Sequence, residues 1–453
     1  MRIHLIAIGG SVMHNIALAL QKNGHIVSGS DDEIYNPAKE RLAKAALLPD
    51  VMGWNENNIT PEIDLVILGM HARSDNPELL KAQVLQLRVV SYPEFIYQHA
   101  KDKLRIAVAG SHGKTTTTAM IIHILKENNI SFDYLVGAQL DGFNNMVRFS
   151  DAPIMVIEAD EYLASPIDTV PKMNHYHPQI SVITGIAWDH INVFPTFENY
   201  VEQFSVFVKN LSKTDTLYYY SEDEILLNIV NQVADCQAIG YTELPFLVVQ
   251  DTVYLLTGSN KIALQIFGEH NLQNLHAAYL VARQLGLSDD LILRAVQTFR
   301  GAAKRLQELA STATSTVFLD FAHAPSKVRA TVNAVKSKFA QRKLVACLEL
   351  HTFSSLNESF HPLYKNTLAA ADEAHVFFSE HTLKMKKMPP INKTTLAEHF
   401  QNKNVTVHTD VEKMWALVLQ HAAPDTNLLL MSSGSFNGSN LSEIANRWIN
   451  KIA

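Results

Sequence analysis

The stretch that most constrains this chain is residues 105–125, which has the pattern of a strand, a glycine loop and a helix. Alternating apolar residues precede the loop Gly110-Ser-His-Gly-Lys-Thr115, and residues 119–125 then have helical spacing. Glycines let backbone N–H groups approach an anion, and a helix N-terminus favours negative charge. In such a loop a lysine contacts the β- and γ-phosphates and a threonine hydroxyl ligates Mg²⁺. We therefore predict a nucleotide-phosphate site with Lys114 and Thr115 in those roles. The alternative is an ordinary turn with a solvated lysine.

Composition excludes several classes of protein. A chain of 453 residues with 47% hydrophobic content predicts about three domains, each with its own core. The net charge of −7, without a basic stripe, argues against a nucleic-acid partner. The 2 cysteines are far apart and form no C-x-x-C pair, which indicates a reducing compartment. No apolar run reaches about 18 residues and no signal-peptide pattern opens the chain, so we expect a cytoplasmic protein without a membrane span.

The chain opens with a second strand–turn–helix pattern. Residues 3–8 predict a buried strand, Gly9-Gly-Ser11 a turn, and Met13–Lys22 a helix. Asp31 follows a further strand, about twenty positions after the glycines, which is the layout of a nucleotide-binding half. The G-x-G-x-x-G fingerprint is absent, so we expect a diphosphate on the turn rather than a dinucleotide. A purely structural layer is the alternative.

Two later strands end in polar residues. Residues 154–157 lead into Glu158-Ala-Asp-Glu161, and residues 180–186 lead into a segment that ends in Asp189-His190. Parallel α/β sheets bind ligands at the carboxyl ends of their strands, and carboxylates beside a phosphate loop commonly hold Mg²⁺. From the residues alone, a helix cap followed by a surface histidine explains Asp189-His190 better than a metal site does.

Asparagines lie on one face of a later predicted helix. Asn271 and Asn274 are three residues apart and therefore share a helix face. An asparagine amide can donate to and accept from an adenine edge at once. From the residues alone, helix capping explains the pair better than an adenine contact does.

Strands and helices alternate along the whole chain, which predicts parallel sheets. We therefore predict an α/β protein of three domains. A Rossmann-like N-terminal domain covers residues 1–100, and a central P-loop ATPase-like domain with a parallel sheet covers residues 101–303. A C-terminal Rossmann-like α/β domain covers residues 304–453.

Six motifs follow one another in order over nearly the whole chain. They are Gly110-Ser-His-Gly-Lys-Thr-Thr-Thr-Thr118, Glu158-Ala-Asp-Glu161, Asp189-His190, His270-Asn-x-x-Asn274, Lys304-Arg305 and Asp320-Phe-Ala-His-x-Pro325. Together they resemble the Mur ligase family, the ATP-dependent amide-forming enzymes of peptidoglycan assembly. Gly29-Ser-Asp31 with Asn76-Pro77 resembles the branch that acts on UDP-N-acetylmuramate.

The resemblance implies a role for each domain and for individual residues. The three domains would bind UDP-N-acetylmuramate, ATP and the amino acid or peptide, in chain order. Lys114, Glu158 and His190 would be catalytic. Thr115 and Glu158 would ligate one Mg²⁺, and His190 would ligate a second. The residues implied to bind ATP are Gly110, Ser111, His112, Gly113, Lys114, Thr115, Thr116, Asn271, Arg305, Asp320 and His323. The residues implied to bind the other substrates are Gly10, Ser11, Asp31, Asn76 and His351.

Two acceptors fit the resemblance. Tyr35-Asn-Pro37, the long insert 162–178 and the ending Met431-Ser-x-Gly434-x-Phe436 resemble ligases of the tripeptide L-alanyl-γ-D-glutamyl-meso-diaminopimelate. Glu349-Leu-His-Thr-Phe-Ser354 departs from the Glu-Pro-Arg-Ser-Asn-Thr of those enzymes. We therefore expect small-molecule substrates, with the tripeptide as acceptor and free L-alanine as the alternative. A monomer or a homodimer is expected.

Two more distant functions are compatible with the motifs. One is a ligase of the folylpolyglutamate synthase type, which the UDP-sugar type of N-terminal domain disfavours. The other is a nucleotide-dependent binding or regulatory protein without catalysis. It would bind ATP but would release no phosphate in response to a substrate.

Overall fold

The computed structural model describes residues 1–70, 72–140, 142–143, 145–191, 193–249, 251–257 and 260–452. The chain forms two compact units. The first contains Met1–Ile186, Glu198–Thr242 and Ala277–Ala295. The second contains Ala187–Phe197, Glu243–His276 and the residues from Val296 on. Within the described ranges no helix is long and apolar enough to cross a membrane.

The first unit opens with a four-stranded parallel sheet in the order β2-β1-β3-β4. The predicted first strand ends at Ile6 rather than at residue 8, because Ala7 has a φ of 67° and begins the glycine turn. The elements are β1 (Arg2–Ile6), α1 (Ser11–Lys22), β2 (Ile26–Ser30), α2 (Ala38–Lys44), β3 (Leu65–Leu68), α3 (Pro77–Val84), β4 (Val89–Ser91) and α4 (Tyr92–Ala100), with a 3₁₀ turn at Glu56–Asn58.

The first unit also contains a seven-stranded sheet, which belongs to the part of the chain from Leu104 to Tyr241. Its elements are β5 (Leu104–Ala109), α5 (Lys114–Glu127), β6 (Asp133–Leu135), β7 (Val147–Arg148), β8 (Ile154–Glu158), β9 (Leu163–Ser165), β10 (Asp168–Pro171), β11 (Ile180–Ile183), α6 (Phe197–Lys209), β12 (Thr216–Tyr220), α7 (Glu224–Val233) and β13 (Gln237–Tyr241), with a 3₁₀ turn at Lys172–His175. The order is β13-β12-β11-β5-β8-β6-β7, and only the edge strand β7 is antiparallel to its neighbour.

The middle of this sheet explains how the motifs meet. β5 lies between β11 and β8 and pairs with both in parallel. The carboxyl ends of these three strands therefore share one edge of the sheet, where α/β proteins bind ligands. The glycine loop follows β5 and the Glu158–Glu161 motif follows β8. Strands β9 and β10 form a separate antiparallel hairpin inside the predicted insert.

The second unit is built around a six-stranded sheet in the order β17-β18-β22-β19-β20-β21, parallel except for β17. The elements after β13 are β14 (Phe246–Val249), β15 (Thr252–Thr257), β16 (Asn260–Leu264), α8 (Glu269–Gln284), α9 (Asp289–Gln297), β17 (Gln307–Ser311), β18 (Thr316–Asp320), α10 (Pro325–Lys338), β19 (Lys343–Leu350), β20 (Glu373–Phe378), α11 (Glu380–Met385), α12 (Lys393–Phe400), β21 (Val405–His408), α13 (Val411–Val418), β22 (Thr426–Met431) and α14 (Leu441–Asn450), with 3₁₀ turns at Glu358–Tyr364 and Leu419–His421.

The core of the second unit contains large aromatic side chains. Phe377 and Phe436 pack with the fully buried Trp415 and Trp448, which come from α13 and α14. Strands β14–β16 form a separate antiparallel sheet. The predicted α/β class and parallel sheets are therefore confirmed, whereas this small sheet was not predicted.

Candidate active site

The glycine loop adopts the geometry that its sequence predicts. Gly110 and Gly113 have φ values of 121° and 74°, and α5 begins at the next residue, Lys114. A side chain at position 110 would collide with Thr184, which follows β11. Both glycines are therefore required by the backbone, and the loop runs directly into a helix N-terminus, which favours an anion.

Lys114 lies in this loop opposite a buried carboxylate. Its Nζ is 2.6 Å from Glu161 Oε2 and donates to the Gly110 carbonyl oxygen at 2.5 Å. Burial lowers the pKa of Lys114, but the charges of Glu161 and Asp160 outweigh it, so the pKa is raised overall. The ammonium group is therefore charged and contacts the Gly110 carbonyl oxygen. The sequence placed Glu161 only among the carboxylates of the acidic motif and did not predict its contact with Lys114.

The two predicted magnesium ligands of the first unit are in direct contact. Thr115 Oγ1 donates to Glu158 Oε1 at 2.7 Å, and the Gly137 backbone N–H donates to Glu158 Oε2 at 2.7 Å. A hydroxyl and a carboxylate are the hard oxygen ligands that Mg²⁺ prefers. The donor set therefore fits this cation. The third predicted ligand, His190, belongs to the second unit, so its role at the metal stays a prediction.

A buried tyrosine connects the loop to Glu161. The Tyr200 hydroxyl donates to Glu161 Oε1 at 3.0 Å and lies 2.7 Å from Ser111 Oγ. A tyrosine has one hydroxyl proton, so Ser111 must donate to the tyrosine oxygen. Ser111 therefore donates to Tyr200, and Tyr200 and Lys114 both donate to Glu161. These bonds hold the loop hydroxyl and the lysine in one geometry.

Tyr200→Phe is expected to lower both stability and activity. The change removes a hydroxyl that serves Glu161 and Ser111, so we expect a loss of about 1–2 kcal/mol in the free energy of unfolding and a lower kcat. Tyr176→Phe is the control. Tyr176 is also fully buried, but its hydroxyl has no hydrogen-bond partner among the described residues. Urea unfolding should separate the two variants, and equal losses would contradict the role of Tyr200.

The turn after β1 is held by the predicted acidic residue. The Gly9 backbone N–H donates to Asp31 Oδ2 at 2.8 Å, and a side chain at Gly9 would lie 2.9 Å from that oxygen. Gly10 and Ser11 follow at the start of α1. Asp31 therefore contacts the turn at Gly9, next to Gly10 and Ser11, and the contact of these residues with a substrate stays a prediction.

Burial gives Asp31 a pH-dependent contribution to stability. It raises the pKa of the carboxyl from 3.8 to about 6, against the lowering effect of the Gly9 N–H. The folded chain thus holds the proton more tightly than the unfolded chain. This contribution is fully present below about pH 4 and is lost as the pH rises through about 6. As the pH rises from about 4 to about 6, the free energy of unfolding of the wild type should therefore fall relative to that of Asp31→Asn. Parallel dependences of the two free energies on pH would contradict the raised pKa.

Asn76 has a local structural role. Its Oδ1 accepts from the backbone N–H groups of Glu78 and Leu79 at 2.9 and 3.1 Å, and the side chain is buried. It is therefore the N-cap of α3, a position that asparagine favours. Its predicted contact with the substrate stays a prediction.

In the second unit, Asp189 is the centre of a charged cluster. Its Oδ1 accepts from the His190 backbone N–H at 2.8 Å. Lys327 Nζ and His323 Nε2 lie 3.5 and 3.9 Å from Oδ2. Burial raises the pKa of Asp189, but the charge of Lys327 and the His190 backbone N–H lower it well below its usual range. His323 is itself buried, which lowers its pKa to about 4 and keeps it neutral.

His190 has a strained backbone. Its φ is 57°, in the left-handed region, and the Asp189 carboxylate holds its N–H. Non-glycine residues adopt this conformation at a cost, and such residues are often found at functional sites. The bond joins adjacent residues, so it is not a helix N-cap, which accepts from the second or third residue of a helix. The helix cap considered from the sequence is therefore not what holds Asp189.

Other predicted ATP contacts make local bonds. Asn271 Nδ2 donates to the Phe267 carbonyl oxygen at 2.8 Å. Asp320 accepts from the backbone N–H groups of Leu306 and Ala322, both at 2.7 Å. The Arg305 guanidinium lies 4.7 Å from the centre of the Phe321 ring. All of these contacts lie within the second unit. The contacts of Asn271, Asp320 and Arg305 with ATP stay predictions.

Glu349 organises the region predicted to bind the acceptor. It is buried and accepts from the backbone N–H groups of Phe436 and Asn437 at 2.7 and 3.3 Å and from the Ser432 hydroxyl. His351 Nδ1 lies 3.8 Å from its Oε1. Glu349 therefore ties the end of β19 to the glycine loop after β22, a role that the sequence did not predict.

Comparison with known proteins agrees with this geometry. Three domain models of one family match consecutive segments: Mur ligase family, catalytic domain, over residues 2–104; Mur ligase middle domain over 108–282; and Mur ligase, glutamate ligase domain, over 304–434. The UDP-N-acetylmuramate–L-alanine ligase of Caldicellulosiruptor saccharolyticus is 32% identical over 393 residues, which cover 82% of each chain. This chain belongs to the Mur ligase family.

Other relatives of this Mur ligase carry a different acceptor in their names. The UDP-N-acetylmuramate–L-alanyl-γ-D-glutamyl-meso-2,6-diaminoheptandioate ligase of Haemophilus influenzae is 24% identical over 96% of this chain and 97% of its own. Solved structures share the fold. A Thermotoga maritima UDP-N-acetylmuramate–alanine ligase has a TM-score of 0.72 at 22% identity, with 100% of this chain and 99% of that chain covered. A murein peptide ligase of Psychrobacter arcticus has a TM-score of 0.68 at 23% identity, with both chains fully covered.

The family settles the class of reaction. As a Mur ligase, the chain is an ATP-dependent, ADP-forming ligase, and the predicted resemblance, architecture and enzyme class are confirmed. Sequence reasoning missed Glu161, Tyr200 and Glu349. The only signal for Glu161 was its place as the last residue of the acidic motif, whereas the partners of Tyr200 and Glu349 are distant in sequence.

Proposed function

We propose that this Mur ligase joins the carboxylate of UDP-N-acetylmuramate to the α-amine of L-alanyl-γ-D-glutamyl-meso-diaminopimelate, with conversion of ATP to ADP and phosphate. The observation that carries the ATP half of this proposal is the loop in which Lys114 faces Glu161 and Thr115 contacts Glu158. The first domain, 1–100, would bind the nucleotide sugar, the central domain, 101–303, ATP, and the last, 304–453, the peptide.

The mechanism requires charge stabilisation rather than a nucleophilic side chain. The muramoyl carboxylate attacks the γ-phosphorus of ATP, and ADP leaves. The acceptor amine then attacks the resulting acyl phosphate. The amine loses a proton and phosphate leaves, so the amide forms. Because negative charge accumulates in both steps, positioned cations lower both barriers.

Individual residues have separable tasks in this scheme. Lys114 exchanges Glu161 for the β- and γ-phosphates when ATP binds. Thr115, Glu158 and His190 would hold Mg²⁺, which supplies neutralising charge at the phosphates when bound. Residues 110–116 would contribute backbone N–H groups, Asn271 an adenine contact, and Arg305, Asp320 and His323 further nucleotide contacts.

The insert 162–178 favours the tripeptide as acceptor. It folds as the hairpin β9–β10 followed by a 3₁₀ turn, close to the acidic motif. Its length resembles that of tripeptide ligases, and the full-length Haemophilus influenzae relative is named for that acceptor. His351, beside Glu349, would contact the peptide.

Free L-alanine is the second candidate acceptor. Three relatives above 30% identity that match about four-fifths of the chain are named UDP-N-acetylmuramate–L-alanine ligases. This observation favours the amino acid over the tripeptide. Both candidates present an L-alanyl amine, so the chemistry of the bond formed is the same.

A coupled assay of ADP release distinguishes the acceptors. Purified enzyme receives ATP, Mg²⁺ and UDP-N-acetylmuramate with either L-alanine, the dipeptide L-alanyl-γ-D-glutamate or the tripeptide. We expect the highest kcat/KM with the tripeptide. A higher kcat/KM with L-alanine would transfer the assignment to the second candidate. ATP binding without acceptor-dependent ADP release would contradict both.

A further inference from the structure

A second buried lysine lies beside the acidic motif. Lys172 Nζ is 2.8 Å from Asp160 Oδ2, and its side chain is only 6% exposed. The ammonium group also lies 5.6 and 5.5 Å from the ring centres of Tyr92 and Tyr162. A lysine is rarely this buried unless it is paired. Asp160 is the only carboxylate in the described part of the chain with which it forms an ion pair.

The backbone fixes this lysine in register with the acidic motif. The Lys172 N–H donates to the Tyr162 carbonyl oxygen at 2.8 Å, and the Met173 N–H donates to the Asp160 carbonyl oxygen at 3.0 Å. The insert therefore leaves the motif at residue 162 and returns to it ten residues later. The ion pair is consequently held from both sides rather than formed by a mobile surface side chain.

The hairpin is also attached to the first domain. The Ser91 hydroxyl donates to Asp168 Oδ2 at 3.0 Å, and His175 Nε2 lies 2.9 Å from the same oxygen. Asp168 begins β10, and His175 ends the 3₁₀ turn that contains Lys172. The start of α4, the hairpin and the lysine thus form one connected structure.

The charges near the phosphate loop explain the need for this lysine. Three carboxylates, Glu158, Asp160 and Glu161, lie within four consecutive residues. Lys114 compensates Glu161, and Lys172 compensates Asp160. When ATP binds, Lys114 would pair with the phosphates instead of with Glu161. Asp160 without Lys172 would then add a second uncompensated negative charge beside the polyphosphate. Charges at this range interact appreciably in a partly buried site.

We propose that Lys172 is a positioning residue of the ATP site. It neutralises and orients Asp160, so that the acidic motif accepts a polyphosphate without added repulsion from this carboxylate. Hairpin β9–β10 fixes it there through Asp168 and Ser91. This inference rests on the proposed ATP site at Lys114, Thr115 and Glu158.

The test is the affinity of Lys172→Met for nucleotides of different charge. Isothermal titration of the full chain with ATP and with AMP, both with Mg²⁺, should show a roughly tenfold to hundredfold weaker affinity for ATP and a much smaller change for AMP. Lys172→Arg keeps the charge and should restore most of the ATP affinity. A variant that merely loses its fold would show an equal loss of affinity for ATP and for AMP.

Lys103→Met is the matched control. Lys103 Nζ is 2.5 Å from the buried Asp133 Oδ2 in the same unit, so its loss also leaves a carboxylate without its lysine. We expect lower stability but an unchanged ratio of ATP to AMP affinity. An unchanged ratio in Lys172→Met would overturn the inference. Absence of ATP binding by the wild type would instead contradict the ATP site itself.

Discussion

Lys114→Met is expected to lower kcat of the ligase on the order of a thousandfold, because the ammonium group is the fixed cation of the phosphate loop. In the folded chain its Nζ is held between Glu161 and the Gly110 carbonyl oxygen. The measurement is the steady-state rate of ADP release at saturating substrates.

This substitution also affects stability, and a double variant separates the two effects. Glu161 is 1% exposed, so removal of Lys114 leaves a buried carboxylate without its cation at a cost of about 3–5 kcal/mol. Lys114→Met/Glu161→Gln removes both charges and should recover most of the free energy of unfolding. It should not recover turnover. Recovered turnover in the double variant would show that Lys114 serves only to compensate Glu161.

Arg105→Met is expected to cost about 4 kcal/mol or more in the free energy of unfolding. Arg105 is buried at the start of the central sheet. Among the described residues, its guanidinium donates only to backbone carbonyl oxygens. The acceptors are Ala100, Lys101, Lys103, Tyr176 and His177, at distances from 2.8 to 3.1 Å. Methionine fills similar space but leaves these buried oxygens without donors.

Arg73→Met provides the comparison for this loss. Arg73 forms a two-bond pair with Asp75, but its side chain is 82% exposed. Exposed pairs contribute at most about 1 kcal/mol, so urea unfolding should show a small change. Similar losses for the two arginine variants would mean that the carbonyl cluster around Arg105 does not stabilise the fold.

Features that depend on restrictive residues or on short spacings could be predicted from the sequence. The glycine loop, the start of α5 and the Gly9–Asp31 turn depend on residues whose conformations or spacing are restrictive, and the structure contains them. The parallel sheets followed from the alternation of strands and helices. The order of motifs along the chain supported the family before any comparison.

Contacts between distant segments could not be predicted in the same way. Tyr200 reaches Glu161 across 39 residues, and Glu349 reaches Phe436 across 87. Neither pair has a spacing rule, because the sheet order brings the partners together. The edge strand β7 and the small sheet β14–β16 are short, and tertiary pairing decides short strands more than propensity does.

The transfer of oxygen from substrate to phosphate tests the central claim most directly. UDP-N-acetylmuramate labelled with oxygen-18 in its carboxylate is incubated with the enzyme, ATP, Mg²⁺ and the preferred acceptor, and the released phosphate is analysed by mass spectrometry. Attack of the carboxylate on the γ-phosphorus predicts one labelled oxygen in each phosphate for each amide formed. Unlabelled phosphate released during amide formation would contradict the acyl-phosphate mechanism and the proposed site.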